Sequence, residues 1–230
     1  MEVGRYGETR PRARPASARV PERAAPSLVI TTMREIELKA VVDDWDTSCR
    51  RIEKAGGQVT FDGRMEDRRY DTRRHALANR DHVLRVRVYY GLNEEITSSI
   101  DWKGATEYEN GFKIREEISV AASPPQHVKA LVKQLGYIVT SVIDRHIVQY
   151  QLGAAIVRFE RYPCMDDLVE VEGPPDSIEN AIKVLGIPRQ AFTTERLLDF
   201  VQRFETRTGR RAALCDAELL DRTLPATRDA

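Results

Sequence analysis

The sequence predicts an α+β fold in which an antiparallel sheet or a closed barrel carries most of the chain. About eight segments alternate apolar and polar residues with the two-residue period of a β-strand. Helical periodicity is confined to four shorter segments. Glycine, proline and asparagine separate these segments, as is typical of turns between antiparallel strands. A mostly antiparallel sheet with a few covering helices is the architecture that this order of elements favours.

The first part of the chain after residue 33 contains most of the predicted strands. Glu35-Ile36-Glu37-Leu38-Lys39 alternates charged and apolar residues, which indicates a strand. The helix that follows has Asp46 or Thr47 as its N-cap and ends at Gly56-Gly57. The predicted elements here are a strand at 34–42, the helix at 46–55, and strands at 59–71, 82–90, 95–103 and 112–120.

The second part of the chain combines further strands with the remaining helices. Pro124-Pro125 opens a helix that Gly136 ends, because proline suits the first helical turn and glycine suits the stop. The predicted elements are this helix to residue 135, strands at 137–152, 155–160 and 168–171, and helices at 177–185 and 194–204.

Both ends of the chain differ in composition from the middle. Residues 1–32 are rich in Arg, Pro and Ala and show no hydrophobic period, which predicts a disordered tail. An artificial extension before a start at Met33 is an equally good interpretation. Residues 33–205 are predicted to form one domain, and residues 206–230 a polar C-terminal tail.

Composition excludes several classes of function. Lys plus Arg and Asp plus Glu both number 36, so the chain lacks the basic excess of a nucleic-acid-binding surface, and nucleic acid is not an expected partner. The three cysteines form no Cys-x-x-Cys pair, which argues against a zinc site or a disulfide framework and favours a reducing cytoplasm. No apolar run has the length of a membrane span, so no membrane partner is expected.

The strands carry Arg, Lys and Glu on one face and apolar side chains on the other. A sheet whose charged face is solvated explains this alternation, and periodicity alone favours that interpretation. The alternative is an inverted barrel, with apolar faces outward under the helices and charged faces around a water-filled lumen. Such a lumen would bind a polyanion together with its metal ions, because bases neutralise phosphate oxygens while carboxylates hold the cations.

Several of these charged segments resemble one known family. Glu-x-Glu-x-Lys at the start of the domain resembles the signature of the CYTH superfamily, the triphosphate tunnel metalloenzymes. The similarity covers roughly residues 33–204, and it comes closest to the class IV adenylate cyclase-like branch. The further matching segments are Arg69-Tyr70-Asp71-Thr72, Leu84-Arg85-Val86-Arg87, Trp102-Lys103-Gly104, Arg115-Glu116-Glu117 and the acidic cluster of Glu160, Glu170 and Glu172.

The resemblance implies an eight-stranded antiparallel barrel, or tunnel, with a charged interior and helices packed outside. It implies a triphosphate-containing small molecule as the ligand and Mg²⁺ or Mn²⁺ as the cofactor. The implied metal ligands are Glu35, Glu37, Glu170 and Glu172. The implied phosphate-binding residues are Lys39, Arg85, Arg87, Lys103, Arg115 and Arg145. The implied catalytic residues are Glu37, Glu117 and Glu160, of which the last two would bind metal or orient water.

Three departures from the family pattern leave the reaction open. Glu160 stands where the family usually has Asp, and Ile147 where the branch often has a second basic residue. Arg161-Tyr162-Pro163-Cys164 replaces a turn that commonly contains glycine. These departures affect the phosphate grip and one rim of the tunnel, whereas the four metal carboxylates are retained.

The branch favours a class IV adenylate cyclase, which converts ATP to 3′,5′-cyclic AMP and pyrophosphate. The alternative is a triphosphatase that hydrolyses tripolyphosphate, thiamine triphosphate or a nucleoside triphosphate. A non-catalytic polyphosphate- or nucleotide-binding module is a third interpretation, which the retained carboxylates disfavour. The resemblance also implies a homodimer.

Overall fold

The computed structural model describes residues 30–92 and 95–220. Most of the predicted N-terminal tail, residues 1–29, lies outside the described residues, as do residues 221–230 at the end of the predicted C-terminal tail. The strands are β1 Ile30–Val41, β2 Gln58–Asp71, β3 Val83–Gly91, β4 Ile96–Lys103, β5 Glu107–Glu109, β6 Phe112–Ala121, β7 Ile138–Leu152, β8 Ala155–Arg161 and β9 Leu168–Glu172. The helices are α1 Trp45–Lys54, α2 Pro125–Gln134, α3 Pro175–Leu185, α4 Leu197–Thr208 and α5 Asp216–Leu220.

Eight of these strands close into an antiparallel barrel, which confirms the predicted fold. The order around the sheet is β1-β9-β8-β7-β2-β3-β4-β6, and a further pairing of β1 with β6 closes the ring. In the closing register Glu35 lies opposite Arg115 and Glu37 opposite Lys113. Four places separate β1 from β2 in this ring, and four separate β9 from β3. The wall formed by β1 and β9 therefore faces the wall formed by β2 and β3 across the lumen.

The apolar faces of the strands point outward and are buried under helices. Leu38, Val157 and Val171 pack with Ile52 of α1 and Ile182 of α3 in the largest core. A second core places Val132 of α2 against Tyr70 and Val86. The charged faces are buried inside the ring, as for Glu37, Arg85, Lys103 and Glu170. The inverted-barrel interpretation is therefore correct and the solvated sheet is wrong, because the helices remove the apolar faces from water.

The structure adds elements that the alternating pattern missed. β5 is a three-residue strand that pairs only with β6 among the described strands, and it is too short to show a period. The sequence predicts a polar tail from residue 206, whereas α4 continues to Thr208 and α5 follows. Between them, the backbones of Cys164 and Ala213 exchange hydrogen bonds of 3.1 and 2.8 Å, and Ala213 is fully buried. Tertiary hydrogen bonds order this segment, and the local sequence pattern does not predict them.

The helices of the described region are all short or polar, and none could cross a membrane.

Candidate active site

One wall of the lumen is acidic. β1 and β9 each carry an alternating Glu-x-Glu, and their antiparallel register puts Glu37 beside Glu172 and Lys39 beside Glu170. Because alternate residues share a face, all of these side chains point into the barrel. Carboxylate oxygens of Glu35, Glu37, Glu170 and Glu172 lie within 4.8 Å of one another. The structure thus brings together the four residues that the family resemblance implies as metal ligands.

These four carboxylates do not share the same protonation behaviour. Burial raises the pKa of Glu35, and the neighbouring Glu37 carboxylate acts in the same direction. Burial also holds the pKa of Glu172 well above its ordinary value, with the Glu170 carboxylate adding to the effect. Burial opposes ionisation of Glu37 and Glu170 too, but nearby lysines lower both pKa values.

On the lumen face of β1 and β9 themselves, the four carboxylates share one lysine, Lys39. Four convergent oxygen ligands in a buried site are the donor set that a hard divalent cation takes. Such a cation would also offset the burial cost and the mutual repulsion that raise the pKa values of Glu35 and Glu172. The residues present fit Mg²⁺ or Mn²⁺.

Cationic side chains surround the acidic wall. Lys39 contacts Glu170 and lies 3.4 Å from Glu37, while Lys113 contacts Glu37 from β6. Arg158 on β8 spans both carboxylates of β9, at 3.1 Å from Glu170 and 2.8 Å from Glu172. Every acidic group on this wall thus has a base within reach, and these bases would meet an anion that approaches the same carboxylates.

The facing wall is basic. Arg69 and Arg85 are paired across β2 and β3, and Arg87 lies two positions along β3 from Arg85. Arg145 lies on the adjoining strand β7, which extends this wall. Burial lowers the pKa of Arg69, and the three other arginines lower it further. The fully buried carboxylate of Asp67 lies among them, 3.5 Å from Arg87, and these arginines hold its pKa below the ordinary value. Asp101 pairs with Arg85 and Glu160 pairs with Arg145, whereas Arg69 forms no ion pair within 4 Å among the described residues.

Two donors on this wall have no hydrogen-bond partner among the described residues. They are Arg69 Nε and Arg145 Nη1, both inaccessible to solvent. A buried donor without a partner costs about 1–3 kcal/mol, so native proteins rarely retain one without a ligand or water to satisfy it. These two unpartnered donors fit an anion bound at this wall.

Lys103 and Arg85 connect the two walls through Glu117. Lys103 contacts Glu35 and lies 3.1 Å from Glu117, while Arg85 lies 2.9 Å from both Glu117 and Asp101. Burial raises the pKa of Glu117, but Lys103, Arg85 and Arg87 outweigh it and the net shift is downward. Glu117 is therefore ionised, and it is not one of the four clustered carboxylates.

Glu160 and Arg145 form a separate pair on β8 and β7. Arg145 Nε donates to Glu160 at 2.9 Å, and the Tyr162 hydroxyl donates to the other carboxylate oxygen at 2.6 Å. Glu160 is 2% exposed and lies outside the cluster of four.

Arg115 lies at one end of the lumen, where it is held by the loops. Its guanidinium donates to the carbonyl of Gly104 at 2.7 Å and to the carbonyl of Asp81. Asp81 in turn accepts from Thr106 N at 2.8 Å and pairs with Arg196 at 3.0 Å. Arg115 thus ties the β2–β3 and β4–β5 connections together, and its role as a phosphate ligand stays a prediction.

Five charges of the lumen were not assigned to the site from the sequence. Asp67, Asp101, Lys113 and Arg158 are buried, and Arg69 is partly buried. Each lies two positions from a residue already assigned to the lumen or to a family motif, so strict two-residue alternation was the signal that could have found them. The β2 residues were harder to assign, because Arg64, Glu66 and Arg68 give its outer face the same charged character.

Comparison with known proteins identifies a matching family. The family model of the CYTH domain matches residues 33–172. No curated protein sequence matches the chain.

Solved structures share the fold at low sequence identity. The PH1012 protein of Pyrococcus horikoshii OT3 is 21% identical with a TM-score of 0.59, over 72% of this chain and 98% of its own. A candidate adenylate cyclase from Vibrio parahaemolyticus is 14% identical with a TM-score of 0.63, over 75% of this chain and 99% of its own. A candidate adenylyl cyclase from Hippeastrum, described as having a dominant triphosphatase activity, is 15% identical with a TM-score of 0.51, over 78% and 98%.

Proposed function

The chain belongs to the CYTH domain family, and from this premise we propose that it is a metal-dependent enzyme acting on a triphosphate-containing small molecule in the barrel lumen. The proposal depends on one observation: an acidic wall and a basic wall face each other across the lumen. Four carboxylates converge on β1 and β9, and an arginine cluster with two unpartnered donors lies on the strands opposite. A triphosphate with its divalent cation has the complementary charges on its two sides.

The residues of the lumen would act mainly by positioning and by neutralising charge. Glu35, Glu37, Glu170 and Glu172 would hold Mg²⁺ or Mn²⁺, which when bound lowers the pKa of an attacking hydroxyl or water. The arginines of the opposite wall would donate to phosphoryl oxygens, since guanidinium groups form bidentate hydrogen bonds with such oxygens. These arginines are Arg69, Arg85, Arg87 and Arg145. Lys39 and Lys103 would connect the acidic wall with the basic wall.

The first candidate reaction is that of a class IV adenylate cyclase. The ribose 3′-hydroxyl of ATP would attack the α-phosphorus, a new P–O bond would form, and pyrophosphate would leave with the displaced bond's electrons. The basic wall would neutralise that leaving group. The resemblance to the cyclase branch and the description of the Vibrio parahaemolyticus protein support this candidate.

The second candidate reaction is triphosphate hydrolysis. Water would attack the γ-phosphorus of tripolyphosphate, thiamine triphosphate or a nucleoside triphosphate, and the bond from that phosphorus to the bridging oxygen would break. Orthophosphate and the corresponding diphosphate (pyrophosphate, thiamine diphosphate or a nucleoside diphosphate) would be released. The activity described for the Hippeastrum protein supports this candidate. The two reactions need the same charges and differ in which end of the triphosphate lies beside the metal carboxylates.

Product analysis separates the candidates. The purified protein is incubated with Mg²⁺ or Mn²⁺ and either ATP or tripolyphosphate, with EDTA in matched controls. Cyclic AMP plus pyrophosphate from ATP identifies the cyclase, whereas orthophosphate from either substrate identifies the triphosphatase. Binding without any product would leave the non-catalytic module, and the proposal of an enzyme would be wrong.

A further inference from the structure

Glu160 is enclosed by two hydrogen-bond donors of the protein. Its Oε1 accepts from Arg145 Nε at 2.9 Å, and its Oε2 accepts from the hydroxyl of Tyr162 at 2.6 Å. Only 2% of the residue is exposed. Each carboxylate oxygen therefore already accepts one hydrogen bond from a buried partner, and Glu160 lies outside the cluster of four carboxylates that could share a cation.

Tyr162 is placed for this contact by its packing. Its ring lies in an apolar cluster with Ile143, Leu168 and Phe200, and 6% of the residue is exposed. The guanidinium carbon of Arg145 lies 5.7 Å from the centre of the same ring. Tyr162 thus contacts both members of the pair, through its hydroxyl and through its face.

These contacts restrict the orientation of the Arg145 side chain. With Nε bound to Glu160 and the guanidinium group held against Tyr162, the direction of its remaining N–H groups is restricted. Nη1 has no partner among the described residues and no access to solvent. A guanidinium group that is anchored on one edge and unsatisfied on another is oriented to receive an anionic oxygen.

We propose that Glu160 and Tyr162 are positioning residues that orient Arg145 toward a phosphoryl oxygen, and that Glu160 is not a metal ligand in this chain. The inference rests on the proposed triphosphate ligand, and it replaces the role implied for Glu160 by the family resemblance. The longer Glu side chain and the tyrosine two residues later are both departures of this chain from the family pattern. Here they act together on one arginine.

Binding measurements without turnover test this assignment. Mn²⁺ and tripolyphosphate are titrated separately by calorimetry into the wild type, Glu160→Gln, Tyr162→Phe and Glu170→Gln. Tripolyphosphate affinity should fall about tenfold in Glu160→Gln and about threefold in Tyr162→Phe, while Mn²⁺ affinity changes less than twofold in both. Glu170→Gln should show the opposite pattern, with Mn²⁺ affinity reduced by at least tenfold.

A spectroscopic signature tests the positioning independently of any ligand. The Nε–Hε resonance of Arg145, assigned from an Arg145→Lys spectrum, should shift and broaden in Glu160→Gln. Tyr162→Phe retains the ring and its packing, so it should keep the fold and move the same resonance less. A Glu160→Gln protein that loses Mn²⁺ affinity as strongly as Glu170→Gln would overturn the inference.

The proposed reaction can fail separately. If the wild type binds tripolyphosphate and the variants bind it more weakly, but no product forms from any triphosphate, the enzyme proposal is wrong and the positioning inference stands. If tripolyphosphate binding and the Arg145 resonance are both unchanged in Glu160→Gln, the positioning inference is wrong whatever reaction is found.

Discussion

At the scale of single residues, the lumen is built from charges that each depend on a neighbour of opposite sign. Glu37 illustrates this dependence, because it is 4% exposed and contacts Lys113 while lying 3.4 Å from Lys39. Arg69 illustrates the exception, because it lies among other arginines and leaves Nε unsatisfied. Buried charges are costly unless they are paired, so residues that break the rule mark the place where a ligand completes the pairing.

Glu37→Gln should reduce metal-dependent turnover by on the order of 100-fold, because outer partners of metal ligands alone cost up to that much when they are changed. The substitution keeps the shape of the side chain and removes its charge. Glu116→Gln is the matched control, since Glu116 is exposed on the outer face of β6. Initial rates at saturating Mn²⁺ measure the effect, and full activity of Glu37→Gln would contradict the metal assignment.

Arg69→Met should separate stability from binding. Removing a charge that is surrounded by like charges should raise the free energy of unfolding by on the order of 1 kcal/mol. Removing its donor should raise KM for the triphosphate about tenfold, as the loss of a charge-assisted hydrogen bond does.

The neighbouring Arg68 provides the control for this variant. Arg68 lies on the outer face of β2, 2.6 Å from Asp144, so Arg68→Met should leave KM unchanged. Urea unfolding and steady-state kinetics give the two quantities. A less stable Arg69→Met protein with unchanged KM would assign Arg69 a structural role only.

At the scale of elements, the connection between β2 and β3 forms part of one end of the lumen, and the carboxylate of Asp71 fixes its first part. Asp71 accepts from the backbone N–H groups of Thr72 at 2.6 Å, Leu77 at 2.9 Å and Ala78 at 2.9 Å. The loop then reaches Asp81, whose carbonyl binds Arg115. A side chain at the end of a strand thereby fixes the loop that borders the lumen.

Asp71→Asn should lower the free energy of unfolding by about 1–3 kcal/mol at neutral pH, because backbone donors lose a charged acceptor. Burial raises the pKa of Asp71, but the three N–H groups outweigh it and the net shift is downward. A carboxyl with a lowered folded-state pKa stabilises the protein above its unfolded-state pKa. That contribution is lost as the pH falls through the folded-state pKa.

The difference in stability between the wild type and Asp71→Asn should therefore shrink at acid pH. Urea unfolding at neutral pH and at about pH 3, below the ordinary aspartate value of about 3.9, measures the change. The exposed Asp43 provides the control substitution, Asp43→Asn. A difference that grew at acid pH would contradict this account of the loop.

At the scale of the whole molecule, ring closure places the acidic wall and the basic wall face to face. The ring has eight strands, and the walls of β1 with β9 and β2 with β3 are four places apart. The outer apolar faces are covered by α1, α2 and α3, which leaves the charged faces in the interior. Some like charges lie close together on each wall, as for Glu35 with Glu37 and Arg69 with Arg85, and a ligand with both signs would reduce the repulsion on both walls.

Mn²⁺ and tripolyphosphate should therefore stabilise the protein cooperatively. Each ligand binds the native state and therefore raises the melting temperature. At a hundredfold excess of ligand over its Kd, the free energy of unfolding increases by about 2.7 kcal/mol. The shift with both present should exceed the sum of the separate shifts. Thermal denaturation with each ligand, both ligands, and sulfate at matched ionic strength measures this coupling, and strictly additive shifts would show that the walls act independently.

Local periodicity determined most of the strands and helices, because the two-residue period of a strand and the roughly 3.6-residue period of a helix are local properties of the sequence. The predicted strand at 82–90, for example, is β3 Val83–Gly91 in the structure. The same alternation could not decide which face lies inside, since a solvated sheet and an inverted barrel need the same sequence. Hydrogen bonds between β1 and β6, about eighty residues apart, close the ring and thereby place the charged faces inside.

The site divides in the same way between local and tertiary information. Family resemblance in the sequence supplied Glu35, Glu37, Glu170 and Glu172, and the register of β1 with β9 brought them together. Only the tertiary structure disclosed the position of Arg69 among other arginines and the enclosure of Glu160 by Arg145 and Tyr162. Those properties depend on which buried groups come into contact in the lumen. Contacts between strands that are far apart in the sequence produce no periodic pattern from which they could be predicted.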